Sequence, residues 1–356
     1  MISTANRRFD RCLPCLIIFF LIFSCSPKNK IDGHIHYRLN SDPTTLDPSF
    51  IVDVHGGLIS AKIFNGLVRL DENLNIVQDI AKKWEISDNG TTYLFYLKEG
   101  VMFSNNREVT AGDFKYSFKR VLKPGGKSPN TWVLDKIAGA QEFMKGIAED
   151  VEGITVIDNY TLMVRLSKPF SPFLHLLTMT AAYVVPEEEI DRPDRDFSVH
   201  PVGTGPFLLK TWEHNNKLVL ERNDHYFDCK ANTNGIVYRI IPEDLTAVTE
   251  FEVGNLDAIN IPSNELSRYR KSSQWKNLIS SADGLNTYYL GFNCSRPPFD
   301  NVNLRRAVAH AIDRGKILKS FYEGRGTLAD GPVPEMLRTW PPHRLSMNIT
   351  LKSRDN

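Results

Sequence analysis

The stretch QDIAKKWEISDNGTTYLFYLKEGVMFSNNREVTAGDFKYSFKRVL, residues 78–122, decides the fold. Two runs within it, residues 84–86 and 93–97, are rich in aromatic and aliphatic side chains, which favour strands. Asp88-Asn89-Gly90 lies between them, and an Asn-Gly pair readily adopts the positive φ angles of a tight turn. The stretch therefore predicts a β-hairpin with a helix after it.

The helix after the hairpin has its own start signal. Thr110 is a good N-cap residue, and Asp113 stands three residues later, where the acid of a capping box belongs. Phe114, Phe118 and Val121 follow at helical spacing and would face the core. The sequence therefore predicts a helix that starts at Thr110 and buries one aromatic face.

Further strands and helices are predicted on both sides of this stretch. The strands include residues 35–39 and 287–293, and the helices include residues 133–147 and a helix capped by Asp300. The mixture of returning hairpins and helices indicates an α/β protein of several lobes.

The composition is that of a soluble globular protein. Of the 356 residues, 42% are hydrophobic and 24% are charged, and this length predicts more than one lobe. The 43 Lys and Arg residues balance the 42 Asp and Glu residues, which argues against a nucleic-acid partner. The sequence has neither a Gly-x-Ser-x-Gly nor a His-Glu-x-x-His motif, so we expect no enzymatic activity, cofactor or metal.

The N-terminus has the pattern of a secretion signal. Three arginines within the first 11 residues precede an apolar run at residues 13–23, which is too short to span a bilayer as a helix. The Ser-Cys pair that ends at Cys25 resembles a lipoprotein cleavage site. We therefore expect residues 1–24 to be a signal peptide, Cys25 to carry lipid and residues 25–34 to form a tether. An ordinary signal peptide or an uncleaved anchor is the alternative.

Two cysteines, Cys229 and Cys294, would remain in the mature domain. An oxidising compartment outside the cytoplasm would permit a disulfide between them. We favour two buried free thiols, because unpaired cysteines commonly pack as small apolar residues.

Four motifs point together to one family. They are residues 78–122, Ser-Asp-Pro-Thr-Thr-Leu-Asp-Pro at residues 41–48, Gly-Thr-Gly-Pro-Phe at residues 203–207, and Arg-Pro-Pro-Phe-Asp at residues 296–300 with Ala-Ile-Asp-Arg at residues 311–314. In this combination the chain resembles the peptide-binding family of bacterial extracellular solute-binding proteins, family 5.

The resemblance implies an α/β fold, a two-lobed periplasmic-binding-protein type II clamp with an extra subdomain in lobe I. By position, lobe I would comprise residues 35–48 and 192–283, and the extra subdomain would comprise residues 49–191. Residues 284–356 would be the start of lobe II. We expect lobe II to be incomplete, because family members carry much more chain there.

The resemblance also implies where a ligand binds. In oligopeptide-binding relatives, the segment after the Leu-Asp-Pro turn supplies backbone hydrogen bonds to the ligand, and here that segment contains Val52, Asp53 and Val54. Trp132 lies in a stretch that contacts ligand in some relatives. Tyr289 falls where relatives place an aromatic residue in the cleft, and strand alternation would turn its neighbouring tyrosine away. The alternatives are a plain loop and core packing of the two aromatic residues.

The family resemblance predicts an extracytoplasmic receptor that captures oligopeptides and delivers them to an ABC importer. Its partners would be the oligopeptide, the permease subunits of the transporter and a bacterial membrane, reached through the lipid anchor. The receptor itself would be a monomer.

Two other interpretations remain open from the sequence. The chain could be a non-binding remnant of the family, because an incomplete lobe II would leave the apolar face of Leu304, Val308 and Ile312 poorly covered. It could also be a lipid-anchored surface adhesin or chaperone.

Overall fold

The computed structural model describes residues 33–281, 284 and 286–334. These residues form two compact units, of which the first ends at Ile259 and the second begins at Asn260. The predicted signal peptide, the predicted lipid site Cys25 and most of the predicted tether lie outside the described residues.

The strands of the described residues all belong to the first unit. They are β1 (His34–Leu39), β2 (Val68–Leu70), β3 (Ile76–Gln78), β4 (Ala81–Ser87), β5 (Thr92–Leu97), β6 (Ile154–Asp158), β7 (Thr161–Arg165), β8 (Phe207–Glu213), β9 (Lys217–Arg222) and β10 (Gly235–Ile240). The α-helices are α1 (Val54–Ile63), α2 (Ala111–Leu122), α3 (Ala140–Met144), α4 (Phe173–Leu176), α5 (Glu187–Ile190), α6 (Asp244–Glu252), α7 (Leu266–Lys271), α8 (Val302–Ala311) and α9 (Arg314–Ser320). Short 3-10 helices lie at Asp88–Gly90, Thr131–Val133, Thr180–Ala182 and Lys276–Leu278.

The first sheet joins the N-terminal strand to the middle of the chain. Its order is β1-β10-β9-β8, with β1 parallel to β10 and the other pairs antiparallel. The central strand β10 is almost entirely buried, as its run of apolar residues requires. It begins at Gly235, where an added Cβ would lie 2.2 Å from the carbonyl oxygen of Leu220, so only glycine fits. The predicted strand at residues 35–39 is confirmed.

The second sheet contains the predicted hairpin. Its order is β4-β5-β7-β6, and all of its pairs are antiparallel. The turn between β4 and β5 places Asn89 at φ 56° and Gly90 at φ 87°, the positive values that the Asn-Gly pair predicts. Along β5, alternation buries Tyr93, Phe95 and Leu97. The hairpin prediction is therefore confirmed.

Helix α2 packs beside this sheet and starts as predicted. The carboxylate of Asp113 accepts the backbone N–H of Thr110 at 2.8 Å, and both halves of the capping box are present. Phe114, Phe118 and Val121 are all buried. The helix therefore has a fixed start and one fully covered face, which makes it a rigid support for whatever it contacts.

The predicted helix over residues 133–147 is wrong. The structure instead has the 3-10 helix Thr131–Val133 and the short α3. Gly139 and Gly146 flank α3 at φ 76° and 72°, which is left-handed backbone that no α-helix continues through. Apolar periodicity favoured one long helix, and the glycines divide it.

Two predictions in the second unit are also wrong. Residues 287–293 form no strand, because no ladder partner lies beside them among the described residues. The N-cap of α8 is Asn301 rather than Asp300, and the Asn301 side chain accepts the N–H of Asn303 at 2.8 Å.

Burial differs between the two units. One continuous core runs through both four-stranded sheets and α2 of the first unit. In the second unit, α8 and α9 contain no fully buried residue, and Leu304, Val308 and Ile312 are each partly exposed. Most of the apolar burial that stabilises the described chain therefore lies in the first unit.

The two thiols are free, but they are not buried. Cys229 and Cys294 are both exposed, so the prediction of buried thiols is wrong. Cys229 follows β9 in the loop before β10, and Cys294 lies in the irregular segment before α8. Loop positions of this kind place even an apolar side chain in water.

Candidate ligand-binding site

The segment from Ser49 to Val54, called here the 49–54 segment, connects the Leu-Asp-Pro turn to α1. It is anchored at its first residue by helix α2. Arg120 of α2 donates to the Ser49 hydroxyl at 2.7 Å and to both carboxylate oxygens of Asp47, one of them at 2.7 Å. Asp47 and Ser49 are both buried.

The ion pair with Asp47 stabilises the charge on Arg120. Burial opposes the charge on Arg120, but hydrogen bonds to Asp47 outweigh it, and the pKa of Arg120 stays above its ordinary value. A buried, bidentate pair of this kind is geometrically rigid. The start of the 49–54 segment is therefore fixed relative to α2.

A second anchor holds the middle of the 49–54 segment. The side-chain amide of Asn130 donates to the carbonyl of Ile51 at 2.9 Å and to the carbonyl of Ser49 at 3.3 Å. The Ser128 hydroxyl donates to the same Ser49 carbonyl at 2.6 Å. The carbonyls of Ser49 and Ile51, two residues apart, are thus both satisfied by one short stretch of chain, which lies immediately before the 3-10 helix Thr131–Val133.

A third anchor closes the end of the 49–54 segment. Asp53 is the N-cap of α1, and its Oδ1 accepts the N–H of Gly56 at 2.8 Å. Its Oδ2 accepts the Thr44 hydroxyl at 2.6 Å, which ties the segment back to the preceding turn. Partial burial raises the pKa of Asp53, but these hydrogen bonds outweigh it and hold the pKa below its usual value. The carboxylate is therefore charged and already engaged within the protein.

Between these anchors, Val52 faces outward. Its side chain is 70% exposed, and within the described residues neither its backbone N–H nor its C=O has a hydrogen-bond partner. Val54, the first residue of α1, is 82% exposed. A backbone donor and acceptor that are held rigidly and left open are the groups that an added strand needs.

Trp132 lies beside this segment. It follows Asn130 by two residues, and Asn130 is bonded directly to Ile51. Its side chain is 47% exposed, so the alternative of core packing does not describe it. The structure thus brings Val52, Asp53, Val54 and Trp132, all candidates from the sequence, into one region of the first unit.

Tyr289 belongs to the second unit. It is 86% exposed, and its neighbour Tyr288 is 78% exposed. Residues 287–293 are not a strand, so alternation does not choose between the two rings. Both present open aromatic surface.

The anchoring residues were not found from the sequence. Arg120, Ser128 and Asn130 carry no local motif, because they act on a segment 71–81 residues away in the chain. Arg120 lies on a predicted helix, and Ser128 and Asn130 lie in an irregular loop, and neither pattern indicates a partner so distant in the chain.

A separate buried polar cluster links two loops of the first unit. The Asp79 carboxylate accepts the N–H of Gly66 at 3.1 Å and the amide of Asn65 at 2.8 Å, and Asn65 in turn accepts the Thr204 hydroxyl at 3.0 Å. Burial raises the pKa of Asp79 to about 6. Every group in this cluster bonds another, so it holds the loops together and leaves nothing open for a ligand.

The described part of the chain shows neither a metal-binding cluster nor a membrane-spanning helix. Within it, no group of three or more His, Cys, Asp or Glu side chains could hold a metal ion. Over the same residues, no helix combines the length and the apolar character needed to cross a membrane.

A family model described as bacterial extracellular solute-binding proteins, family 5 Middle, matches residues 75–346, which is more than half of the chain. The chain belongs to this family. The family's description names solute binding and no catalytic activity, in agreement with the family resemblance of the sequence. The family's description also places its members outside the cytoplasm.

Individual relatives agree with the family. The chain is 29% identical over 312 residues to the oligopeptide-binding protein OppA of Bacillus subtilis, covering 85% of this chain and 57% of that protein. It is 28% identical over 325 residues to heme-binding protein A of Haemophilus influenzae, covering 86% and 58%. The family 5 chain therefore spans less than two thirds of the length of these relatives.

A solved structure confirms the fold. OppA of Burkholderia pseudomallei aligns with 90% of this chain and 65% of its own, at 26% identity and a TM-score of 0.78. The predicted α/β fold of type II periplasmic-binding proteins is therefore confirmed over the aligned part.

Proposed function

We propose that this family 5 protein captures oligopeptides outside the cytoplasm and delivers them to an ABC importer. The observation that carries the proposal is the open backbone N–H and C=O of Val52, which lies between the hydrogen-bonded carbonyl of Ile51 and the hydrogen-bonded side chain of Asp53. A peptide has the same backbone whatever its sequence, so a receptor that bonds the backbone can accept many peptides.

The surroundings of Val52 support a peptide ligand. Val52, Val54 and Trp132 offer exposed apolar surface beside the open backbone groups. The nearby charges of Asp53 and Arg120 are engaged with Thr44, Gly56, Asp47 and Ser49. The region therefore offers backbone hydrogen bonds and apolar contact to a ligand, while the charges of Asp53 and Arg120 are already engaged within the protein.

The rest of the proposal follows from the family. The permease subunits of an ABC importer would receive the loaded receptor, and a lipid on Cys25 would hold the receptor, as a monomer, at a bacterial membrane. Tyr289 is a further proposed ligand contact, on the basis of the family resemblance. The oligopeptide-binding relative supports this choice of ligand.

The test is a calorimetric titration of the protein with short peptides of mixed sequence. We expect peptide binding, and we expect the substitution Val52→Pro to weaken it by about tenfold or more, because proline removes the open N–H. Val302→Pro is the matched control, since it makes the same change at an exposed first residue of α8.

Hemin is the competing ligand in the same experiment, because a relative is named for heme binding. Hemin binding without peptide binding would overturn the proposal. Equal affinity of the wild type and Val52→Pro for peptides would show that peptides bind elsewhere on the protein.

A further inference from the structure

Asn130 is a buried side chain with an unusual pair of hydrogen bonds. It is 8% exposed, and its amide nitrogen donates to two backbone carbonyls of the same segment, those of Ser49 and Ile51. Asn130 is itself held at both ends, because its N–H donates to the Ser128 hydroxyl and its C=O accepts the N–H of Val133 at 3.1 Å. Asn130 is therefore fixed by its own backbone bonds within residues 128–133, in addition to its side-chain bonds to the segment.

The two bonds of Asn130 fix which way the segment's peptide groups point. The peptide group between Ile51 and Val52 is planar and trans, so the N–H of Val52 points opposite to the carbonyl of Ile51. By holding the Ile51 carbonyl, Asn130 therefore directs the N–H of Val52 away from itself.

The chain on the C-terminal side of Val52 is restrained as well. Asp53 is held by its hydrogen bonds with Thr44 and Gly56. Val52, whose backbone groups make no hydrogen bond within the described residues, thus lies between Ile51 and Asp53, which are both hydrogen-bonded. Without the Asn130 bonds, the peptide group between Ile51 and Val52 would be free to rotate, and a ligand would have to order it on binding.

We infer that Asn130 is a positioning residue for the ligand: it does not touch the peptide but orients the backbone of Val52 that does. The inference rests on the proposed function and goes beyond it, because it assigns ligand affinity to a buried side chain outside the ligand-contacting set. We expect the loss of the Asn130 side chain to lower the affinity for peptides by more than its effect on the stability of the fold explains.

The experiment compares Asn130→Leu with Asn223→Leu. Leucine matches asparagine in size and donates no hydrogen bond. Asn223 is the matched control, because it is also buried, in the same unit, and donates to a single backbone carbonyl, that of Gly205, at 2.9 Å. We expect both variants to lower the unfolding temperature similarly, and only Asn130→Leu to weaken peptide binding, by about tenfold, at a temperature where both are folded.

A second variant tests the hydrogen bond itself. In Asn130→Asp the protonated carboxyl can donate one bond to the Ile51 carbonyl, and the ionised carboxylate cannot. Two facing carbonyls and burial favour the neutral form. We expect the peptide affinity of Asn130→Asp to approach the wild-type value at low pH. As pH rises, its affinity should fall by more than the wild-type affinity does over the same range. This variant also serves if Asn130→Leu does not fold.

The outcomes separate the two claims. A wild type that binds no peptide overturns the proposed function and the inference with it. A wild type that binds, with a folded Asn130→Leu of equal affinity or an Asn223→Leu that is equally impaired, overturns the inference alone. The inference alone is also overturned if the peptide affinity of Asn130→Asp depends on pH in the same way as that of the wild type.

Discussion

The guanidinium of Arg120 and the carboxylate of Asp47 form a buried, bidentate ion pair between α2 and the turn that leads into the 49–54 segment. The side chains are 14% and 8% exposed. Since Arg120 also bonds Ser49, one side chain fixes both the turn and the first residue of the candidate site. Folding and the geometry of the candidate site are therefore linked at this pair.

Arg120→Met should strongly destabilise the protein, because it leaves the Asp47 charge buried without a partner. Breaking a buried pair in this way costs about 3–5 kcal/mol. Urea unfolding of the wild type and the variant measures the difference in the free energy of unfolding. Adding Asp47→Leu to Arg120→Met should restore part of the loss, since the orphaned charge is then removed.

The control for Arg120 is an exposed ion pair of the same unit. Arg165 and Glu152 are 44% and 73% exposed and bond at 2.6 Å. Arg165→Met should change the free energy of unfolding by less than about 1 kcal/mol. A loss from Arg165→Met as large as that from Arg120→Met would contradict the argument from burial.

Asp79 should make the stability of the first unit depend on pH. Its pKa is about 6 in the folded protein, raised by burial from 3.8, so the folded state favours the protonated form. The stability that this group contributes is fully present below pH 3.8 and is lost as pH rises through 6. The loss corresponds to about 3 kcal/mol, and the free energy of unfolding measured from pH 4 to 7 should show it.

Asp79→Asn identifies the source of that pH dependence. The variant has no charge to bury, so the decrease between pH 4 and 7 should shrink by about the same 3 kcal/mol. Asp71→Asn is the control, because hydrogen bonds from Asn75 lower the pKa of Asp71 and it titrates below this range. An unchanged slope in Asp79→Asn would mean that another group is responsible.

The features predicted from the sequence are those whose signals lie within a few residues of one another. The Asn89-Gly90 turn and the Thr110–Asp113 capping box depend on local backbone preferences, and the structure has both. The prediction of a helix over residues 133–147 was wrong. A glycine costs only about 1 kcal/mol in a helix, so the apolar periodicity was given more weight than the glycines. In the fold, Gly139 instead adopts φ 76°.

The candidate site was predicted only in part for a related reason. The family resemblance indicated Val52 and Trp132, because a motif alignment assigns positions along the sequence. It did not supply Asn130, whose bond to Ile51 spans 79 residues. A contact of that kind is a property of tertiary packing, which no periodicity in the sequence encodes.

Cys25, which lies outside the described residues, should carry the lipid. Cells that express the full chain and are fed a labelled fatty acid should incorporate the label, and Cys25→Ala should abolish it and release the protein from the membrane fraction. Cys229→Ala and Cys294→Ala are the matched controls, since both thiols are exposed in the folded units. Label that persists in Cys25→Ala would place the modification elsewhere.

Trp132 should affect binding far more than stability. Its side chain is 47% exposed, so Trp132→Ala should lower the free energy of unfolding by less than about 1 kcal/mol. If the indole packs against the bound peptide, the same change should weaken peptide affinity by about tenfold, as removal of an aromatic contact commonly does. Ile147→Ala is the control, because Ile147 is an apolar residue of the same unit, 74% exposed, that follows α3. Calorimetric titration and urea unfolding of both variants separate the two effects. Peptide affinities that are equal in Trp132→Ala and Ile147→Ala would remove Trp132 from the site and leave the open backbone of Val52 as its main determinant.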